Sequence, residues 1–231
     1  MSVSQSADML DQLRAVIPPL FDYPVAVGVS DPRAPQPPVM AGEMAHGQRA
    51  LASRVQEFAA GRAAARQAMA QLGLAPGAIP VAADRSPVWP EGLHGSISHC
   101  ARLCAAVITT GPQSLGLDIE ENTPLSEELL PLICSDAEQG RMAGPDLFWR
   151  AKLVFSAKEA AYKAQFPLTG MVFGFDHIDL NLDLPTRAFT ATFLRPAGCF
   201  AAGDGLAGRF DEIDGHLVTA AWADKSLLKG A

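Results

Sequence analysis

The first apolar feature along the chain is Val25-Ala26-Val27-Gly28-Val29, a β-branched run that predicts a short buried strand. Pro32, Pro35, Pro37 and Pro38 then forbid regular structure. From about Gly42 to Leu72 the residues are mostly helix formers and Gly73 stands in C-cap position, which predicts one long helix with an interruption near Gly61. Leu51, Val55, Phe58, Ala65, Met69 and Leu72 lie on one stripe of that helix and predict its core face. After a second loop, Asp84 to Pro90, a hairpin-like pair of strands is expected at Gly95–Cys100 and Leu103–Thr110. The stretch from Ser114 to Glu120 alternates strictly, with Leu115, Leu117 and Ile119 on one face and Gly116, Asp118 and Glu120 on the other. Helical patterns return at about 125–139 and 147–166. The last sixty residues predict several antiparallel strands, with turns near Pro185, Pro196-Ala197-Gly198 and Asp214-Gly215. Helical segments followed by strands in each half predict an α+β architecture, with sheets covered by helices.

Composition narrows the classes. The chain has 231 residues, 48% hydrophobic and 19% charged, with a net charge of −7, the range of one large globular domain or two compact halves. A pI near 5.2 is wrong for a protein that coats nucleic acid. The charge is uneven: residues 1–115 hold eight Arg, no Lys and eight acids, so the whole acidic excess lies in the second half. Arg49, Arg54, Arg62 and Arg66 cluster with only Glu57 among them, a local attraction for a phosphorylated small molecule. Arg62 falls inside the apolar stripe and Arg54 and Arg66 on its edges; an arginine facing a core needs an anionic partner, or else snorkels. Cys100, Cys104, Cys134 and Cys199 lack zinc-type spacing and are expected as small buried hydrophobes in a reducing compartment. Asp8 and Asp11 interrupt any secretory apolar region and no stretch has the length of a membrane span, so the expected location is cytoplasmic.

Three carboxylates carry the candidate chemistry. Asp118 and Glu120, at i and i+2 of a strand, project from one face and repel each other unless a cation lies between them; hard oxygen ligands suit Mg²⁺. On spacing alone a solvated polar strand face is the better explanation of the pair. Glu159 and Lys163 share a helical face at i,i+4 in Phe155-Ser156-Ala157-Lys158-Glu159-Ala160-Ala161-Tyr162-Lys163, beside Phe155, Tyr162 and Phe166, where an exposed ion pair is the alternative. Glu121 points to the opposite strand face. Gly95-Ser96-Ile97-Ser98-His99 lacks the glycine that follows a hydrolase nucleophile by two residues; Ser98 and His99 are better placed as hydrogen-bond donors to an anion.

Four blocks occur in order: Gly61-Arg62-x-x-x-Arg66, Gly95-Ser96-Ile97-Ser98-His99, Gly116-Leu117-Asp118-Ile119-Glu120, and Phe155 to Pro167. Together, from about Arg54 to Pro167, they resemble the 4′-phosphopantetheinyl transferase family, in particular its monomeric secondary-metabolism type. The resemblance implies a pseudo-twofold α+β fold of two similar halves, each with a small antiparallel sheet packed on helices. Residues 1–114 would hold the coenzyme A-binding arginines and the Ser-His strand, and 115–231 the metal-binding carboxylates and the Lys-Glu helix, with coenzyme A and Mg²⁺ in the cleft between. It implies transfer of phosphopantetheine from coenzyme A to a serine of an apo acyl or peptidyl carrier protein, in siderophore or other secondary-metabolite synthesis, with release of adenosine 3′,5′-bisphosphate. Carried over by motif, Asp118, Glu120 and Glu159 would ligate the metal, with Glu159 also the base. Lys163 would neutralise the pyrophosphate, Ser98 and His99 would hold the 3′-phosphoadenosine, and Arg54, Arg62 and Arg85 would meet other phosphates. A coenzyme A-binding module without turnover and a Mg²⁺-dependent phosphohydrolase are the competing readings.

Overall fold

The computed structural model describes residues 3–43 and 52–224, and the chain divides into two compact units, Met1–Gly111 and Pro112–Ala231. Arg49 and Leu51 lie outside the described residues. No described helix is long and apolar enough to cross a membrane.

The first unit opens with α1 (Val3–Val16), which the hydrophobic pattern does not announce. Its buried row, Met9 and Leu13 with Ile17 beyond the helix end, is one residue wide in a polar segment. β1 (Ala26–Ser30), β2 (His94–His99) and β3 (Cys104–Thr109) form an antiparallel sheet in the order β1-β3-β2, the expected hairpin joined by the expected buried strand. α2 spans Ala52–Gln71, not Gly42 to Leu72. Residues 41–43 form a turn in which Gly42 has φ +86, a conformation no helix contains.

The helix runs through Gly61 without the expected break. Of its expected core stripe, Ala65 and Met69 are buried, Val55 and Phe58 are half-buried and Leu72 is exposed; the rest of the buried side is alanine, Ala60, Ala64 and Ala68. Small residues win because β1 lies almost on the helix backbone: a Cβ on Gly28 would stand 1.8 Å from the Ala64 carbonyl oxygen. The same helix covers the free edge of β1, since the Val27 and Val29 amides donate to the side-chain oxygens of Gln71 and Gln67.

The second unit is a five-stranded antiparallel sheet in the order β4-β8-β7-β6-β5, formed by β4 (Gln113–Glu121), β5 (Ile178–Asp183), β6 (Ala188–Phe193), β7 (Gly205–Ile213) and β8 (His216–Asp224). α5 (Leu147–Thr169) packs on it, and Leu153, Val154, Ala157, Leu180, Phe193 and Leu206 belong to the core it closes. α5 continues past the predicted end at 166 with Pro167 inside its last turn; left-handed Gly170 closes it, its amide bonded to the Phe166 carbonyl. The single helix expected at 125–139 is instead two short ones, α3 (Leu130–Ile133) and α4 (Asp136–Met142). Ser135 starts α4 with a capping box to Glu138, so the chain bends between Cys134 and Ser135.

β4 also departs from the half-buried strand predicted, being buried on both faces from Ser114 to Ile119. α5 covers the Gly116 side so closely that a Cβ there would stand 1.9 Å from the Ala160 carbonyl oxygen. The two units therefore repeat one joint. Gly28 meets Ala64, and Ser30 Oγ donates to the Ala60 carbonyl at 2.9 Å; Gly116 meets Ala160, and Ser114 Oγ donates to the Ala164 carbonyl at 2.6 Å. In each, strand and helix run antiparallel through a glycine and a serine two residues apart. The α+β class expected from sequence is the class observed, as two antiparallel sheets packed with helices.

None of the four cysteines forms a disulfide and they differ in environment: Cys104 and Cys134 are buried, Cys100 is half-buried and Cys199 is exposed, which corrects the expectation that all four are interior. Burial pushes the Cys104 thiol up to about 12 and the Cys134 thiol up to about 11. Mass mapping after brief alkylation of the native protein at neutral pH is expected to find Cys199 modified, and Cys104 and Cys134 modified only after denaturation.

Candidate active site

β4 and α5 build the acidic part of the site inside the second unit. Asp118 is buried, and both its oxygens are held: Oδ2 accepts from Ser156 Oγ at 2.8 Å and Oδ1 from Lys163 Nζ at 2.7 Å. Ser156 is itself fixed from β8, with its Oγ 2.9 Å from Thr219 Oγ1 and its carbonyl accepting from that hydroxyl at 2.9 Å. Glu120 Oε2 accepts from Lys152 Nζ at 2.5 Å. Lys152, Ser156, Glu159 and Lys163 follow one another at helical steps of four, three and four residues, so a single stripe of α5 presents cation, hydroxyl, carboxylate and cation to β4. Lys152 and Thr219 were not among the sequence candidates; Lys152 could have been found from its place seven residues before Glu159, whereas Thr219 has no local signal.

Glu159 differs electrostatically from its neighbours. Burial raises its pKa above the ordinary carboxylate value; Lys163 opposes that, and the charges of Asp118 and Glu120 add to it. The three carboxylates thus interact, as like charges facing a common region do. Among the described residues no three His, Cys, Asp or Glu side chains are gathered as a ready metal cage, and Lys152 and Lys163 neutralise the strand pair. The donor chemistry, all carboxylate oxygen, fits a hard divalent cation.

Because the folded state binds the Glu159 proton more tightly than the unfolded chain, this group lowers stability as pH rises from the ordinary carboxylate range through its raised value. Glu159→Gln is therefore expected to melt at or above the parent temperature at pH 7 in metal-free buffer. The difference should vanish on acidification below that range, as measured by calorimetry across pH.

Beside Glu159 lies a cavity of about 240 Å³ lined by Lys158, Glu159, Tyr162, Phe173, Phe175 and Ile178. Its aromatic wall is packed: Tyr162 meets Phe166 at 5.8 Å and Phe173 at 5.4 Å, and Phe155 meets Phe175 at 5.7 Å.

In the first unit, Arg54, Glu57 and His99 converge. Glu57 Oε2 is 3.4 Å from Arg54 Nη1 and 3.9 Å from His99 Nε2, while Ser98 is buried on β2. Arg62 is buried, its Nε donating to the Ile79 carbonyl at 2.8 Å and its guanidinium stacked over the Phe58 ring at 4.3 Å. Burial lowers its pKa and Glu43 counteracts this. Glu43, wholly buried, accepts from Arg66 at 2.8 and 3.1 Å and from the Ile79 amide at 3.0 Å. The internal anion for this arginine pair is thus Glu43, a residue in an irregular turn with no periodicity to mark it. Arg85 sits on an exposed turn with φ 73, beside Asp84, whose carboxylate accepts from the Ser86 amide and hydroxyl.

Residues 42–109 match the 4′-phosphopantetheinyl transferase N-terminal domain, and residues 114–220 match the 4′-phosphopantetheinyl transferase superfamily. The chain is 39% identical over 188 residues to the 4′-phosphopantetheinyl transferase Svp of Streptomyces mobaraensis, covering 77% of this chain and 76% of that one. The chain belongs to the 4′-phosphopantetheinyl transferase family. Among other relatives, PptT of Mycobacterium tuberculosis is 35% identical over 151 residues, 63% of this chain and 66% of its own. Enterobactin synthase component D of Escherichia coli K12 is 39% identical over 122 residues, 51% and 57% respectively. The family resemblance read from the four sequence blocks is borne out, and so is the enzyme type. All the carboxylates and lysines of the transferase's acidic stripe lie within the superfamily match.

Proposed function

We propose that this transferase moves 4′-phosphopantetheine from coenzyme A to a serine of an apo acyl or peptidyl carrier protein, releasing adenosine 3′,5′-bisphosphate. The observation that carries the reading is Glu159, a desolvated carboxylate coupled to Asp118 and Glu120, within reach of the Lys163 charge and lining a cavity. Its raised pKa suits a group that must take a proton near neutral pH. Asp118, Glu120 and Glu159 would hold Mg²⁺, which when bound supplies charge neutralisation on the phosphates.

In this scheme the carrier serine Oγ forms a bond to the β-phosphorus while the bond from that phosphorus to the bridging oxygen breaks. The serine proton passes to Glu159, and the leaving phosphate departs with the electron pair. Lys163 stabilises charge on the pyrophosphate, and Ser156 keeps Asp118 oriented. Phosphoryl-type transfer asks for this positioning and charge more than for covalent help. From the first unit, Arg54, Arg62 and Arg85 serve the coenzyme A phosphates and Ser98 and His99 the 3′-phosphoadenosine. The exposed side chain of Arg54, next to His99, is the best placed of the arginines to meet a ligand. Four cysteines without a disulfide agree with a cytoplasmic enzyme, and two units in one chain with a monomer. The kinship to enterobactin synthase component D favours a siderophore or secondary-metabolite carrier.

The test is intact-mass spectrometry of several apo carrier proteins incubated with the enzyme, coenzyme A and Mg²⁺. The expected result is a gain of one phosphopantetheine per carrier; no gain on any of them would contradict the proposal, and phosphate-ester hydrolysis without a carrier would favour a phosphohydrolase.

A further inference from the structure

Next to Glu159 on α5, Lys158 is buried, and so is the side chain it pairs with, Glu138 of α4. All three Lys158 donors are used and both Glu138 oxygens accept. Lys158 Nζ donates to Glu138 Oε2 at 2.8 Å, to the Ile133 carbonyl at 2.8 Å and to the Phe175 carbonyl at 3.0 Å, which are the three bonds an ammonium can make. Glu138 accepts in addition from the Ser135 amide at 2.7 Å and, through Oε1, from the Leu180 amide at 2.7 Å. One ion pair thus ties α5 to the end of α3, the start of α4, the segment before β5 and β5 itself.

The place of these bonds gives them a further meaning. Phe173, Phe175 and Ile178 form the wall of the cavity that faces Lys158 and Glu159, and residues 170–174 carry no regular structure. The Lys158 bond to Phe175 holds this wall to the helix turn that bears Glu159. The ion pair itself is a poor source of stability, since apolar residues of similar volume often serve as well; what such residues lack are the directional bonds to the Ile133, Phe175, Ser135 and Leu180 backbone groups, of which the Phe175 bond is the one that holds the cavity wall.

We propose that Lys158 and Glu138 are positioning residues that set the spacing between the 173–178 wall and Glu159, and through it the rate of the transfer step. The inference rests on the proposed transferase reading of the Glu159 site. Lys158 touches no reacting atom in this account.

The test compares Lys158→Met, Glu138→Leu and the double variant by melting temperature, by kcat and KM for an apo carrier, and by hydrogen exchange of residues 174–178. Each single variant should melt lower, because one charge is left buried and unpaired. The double variant, which leaves no unpaired charge, should melt above either single variant, yet keep a kcat reduced on the order of 10²-fold, the effect of about 1 Å of misplacement, with faster exchange at 174–178. A kcat that returns with stability, or exchange at 174–178 equal to the parent, would overturn the proposal. If the double variant does not melt cooperatively, Lys158→Arg decides: it keeps the charge but replaces three tetrahedral donors with a planar fork, so kcat should fall with the melting temperature retained, and parent-like kcat would overturn the proposal. A parent enzyme with no transfer on any carrier would instead remove the transferase reading, and the exchange measurement would still decide the role of the pair.

Discussion

Replacing Glu159 with Gln is expected to lower phosphopantetheine transfer by about 10²–10⁴-fold, the usual contribution of a positioned general base, while coenzyme A still binds. The substitution keeps the side chain's size and removes only its ability to hold a proton or a cation. Of the three carboxylates, Glu159 is the one whose charge is disfavoured, by burial first and by Asp118 and Glu120 after that. Asp118 is already satisfied by Ser156 and Lys163, and Glu120 by Lys152. The partition between rate and binding follows from these partners: the arginines and the Ser-His strand assigned to coenzyme A are not altered. Rapid-quench transfer and calorimetric binding on the same preparation check it, and retained transfer would remove Glu159 from its role. A melting temperature at or above that of the parent at pH 7 in metal-free buffer separates this loss from misfolding.

Gly116→Ala should be the most damaging single methyl group in the second unit. Its Cβ would stand 1.9 Å from the Ala160 carbonyl oxygen and 2.7 Å from the Ala164 amide nitrogen, both backbone atoms that no rotamer change can move. Overpacking of that kind lies at or beyond the upper end of the usual range, at least about 3 kcal/mol. Relief requires α5 to lift from β4, and the lift separates Asp118 from Ser156 and Lys163, so activity should be lost together with stability. Gly28→Ala creates the equivalent clash with Ala64 in the first unit. Denaturant unfolding of both variants is the check; a Gly116→Ala protein as stable as the parent would contradict the close packing described here.

Those two joints show where sequence reading stops. The run at 25–29, the hairpin, the alternation of 114–120 and the long helical pattern from 147 are periodic features, and each reappears as β1, β2 with β3, β4 and α5. On α2 the predicted stripe and the buried side overlap only at Ala65 and Met69, because large apolar residues do not mark this core face. At a glycine joint it is alanine that packs, and Leu72 is left exposed. The break of 125–139 into α3 and α4 turns on one residue, Ser135, whose cap competes with a continuous helix. In the site, Asp118, Glu120, Glu159 and Lys163 were legible from two local spacings. Thr219, Glu43 and Glu138 were not, since each acts through partners on distant segments, Thr219 on Ser156, Glu43 on Arg66 and Ile79, and Glu138 on Lys158 and Leu180.

The central claim is that the carboxylates of β4 and α5 serve a cation-dependent transfer from coenzyme A. The most direct measurement follows a catalytic amount of the enzyme with excess apo carrier and coenzyme A, by intact mass and nucleotide analysis, with Mg²⁺ or with chelator. Many carriers modified per enzyme are expected, with one adenosine 3′,5′-bisphosphate for each, and none of either in chelator; full modification in chelator, or no modification with Mg²⁺ on any carrier, would contradict that role for the carboxylates.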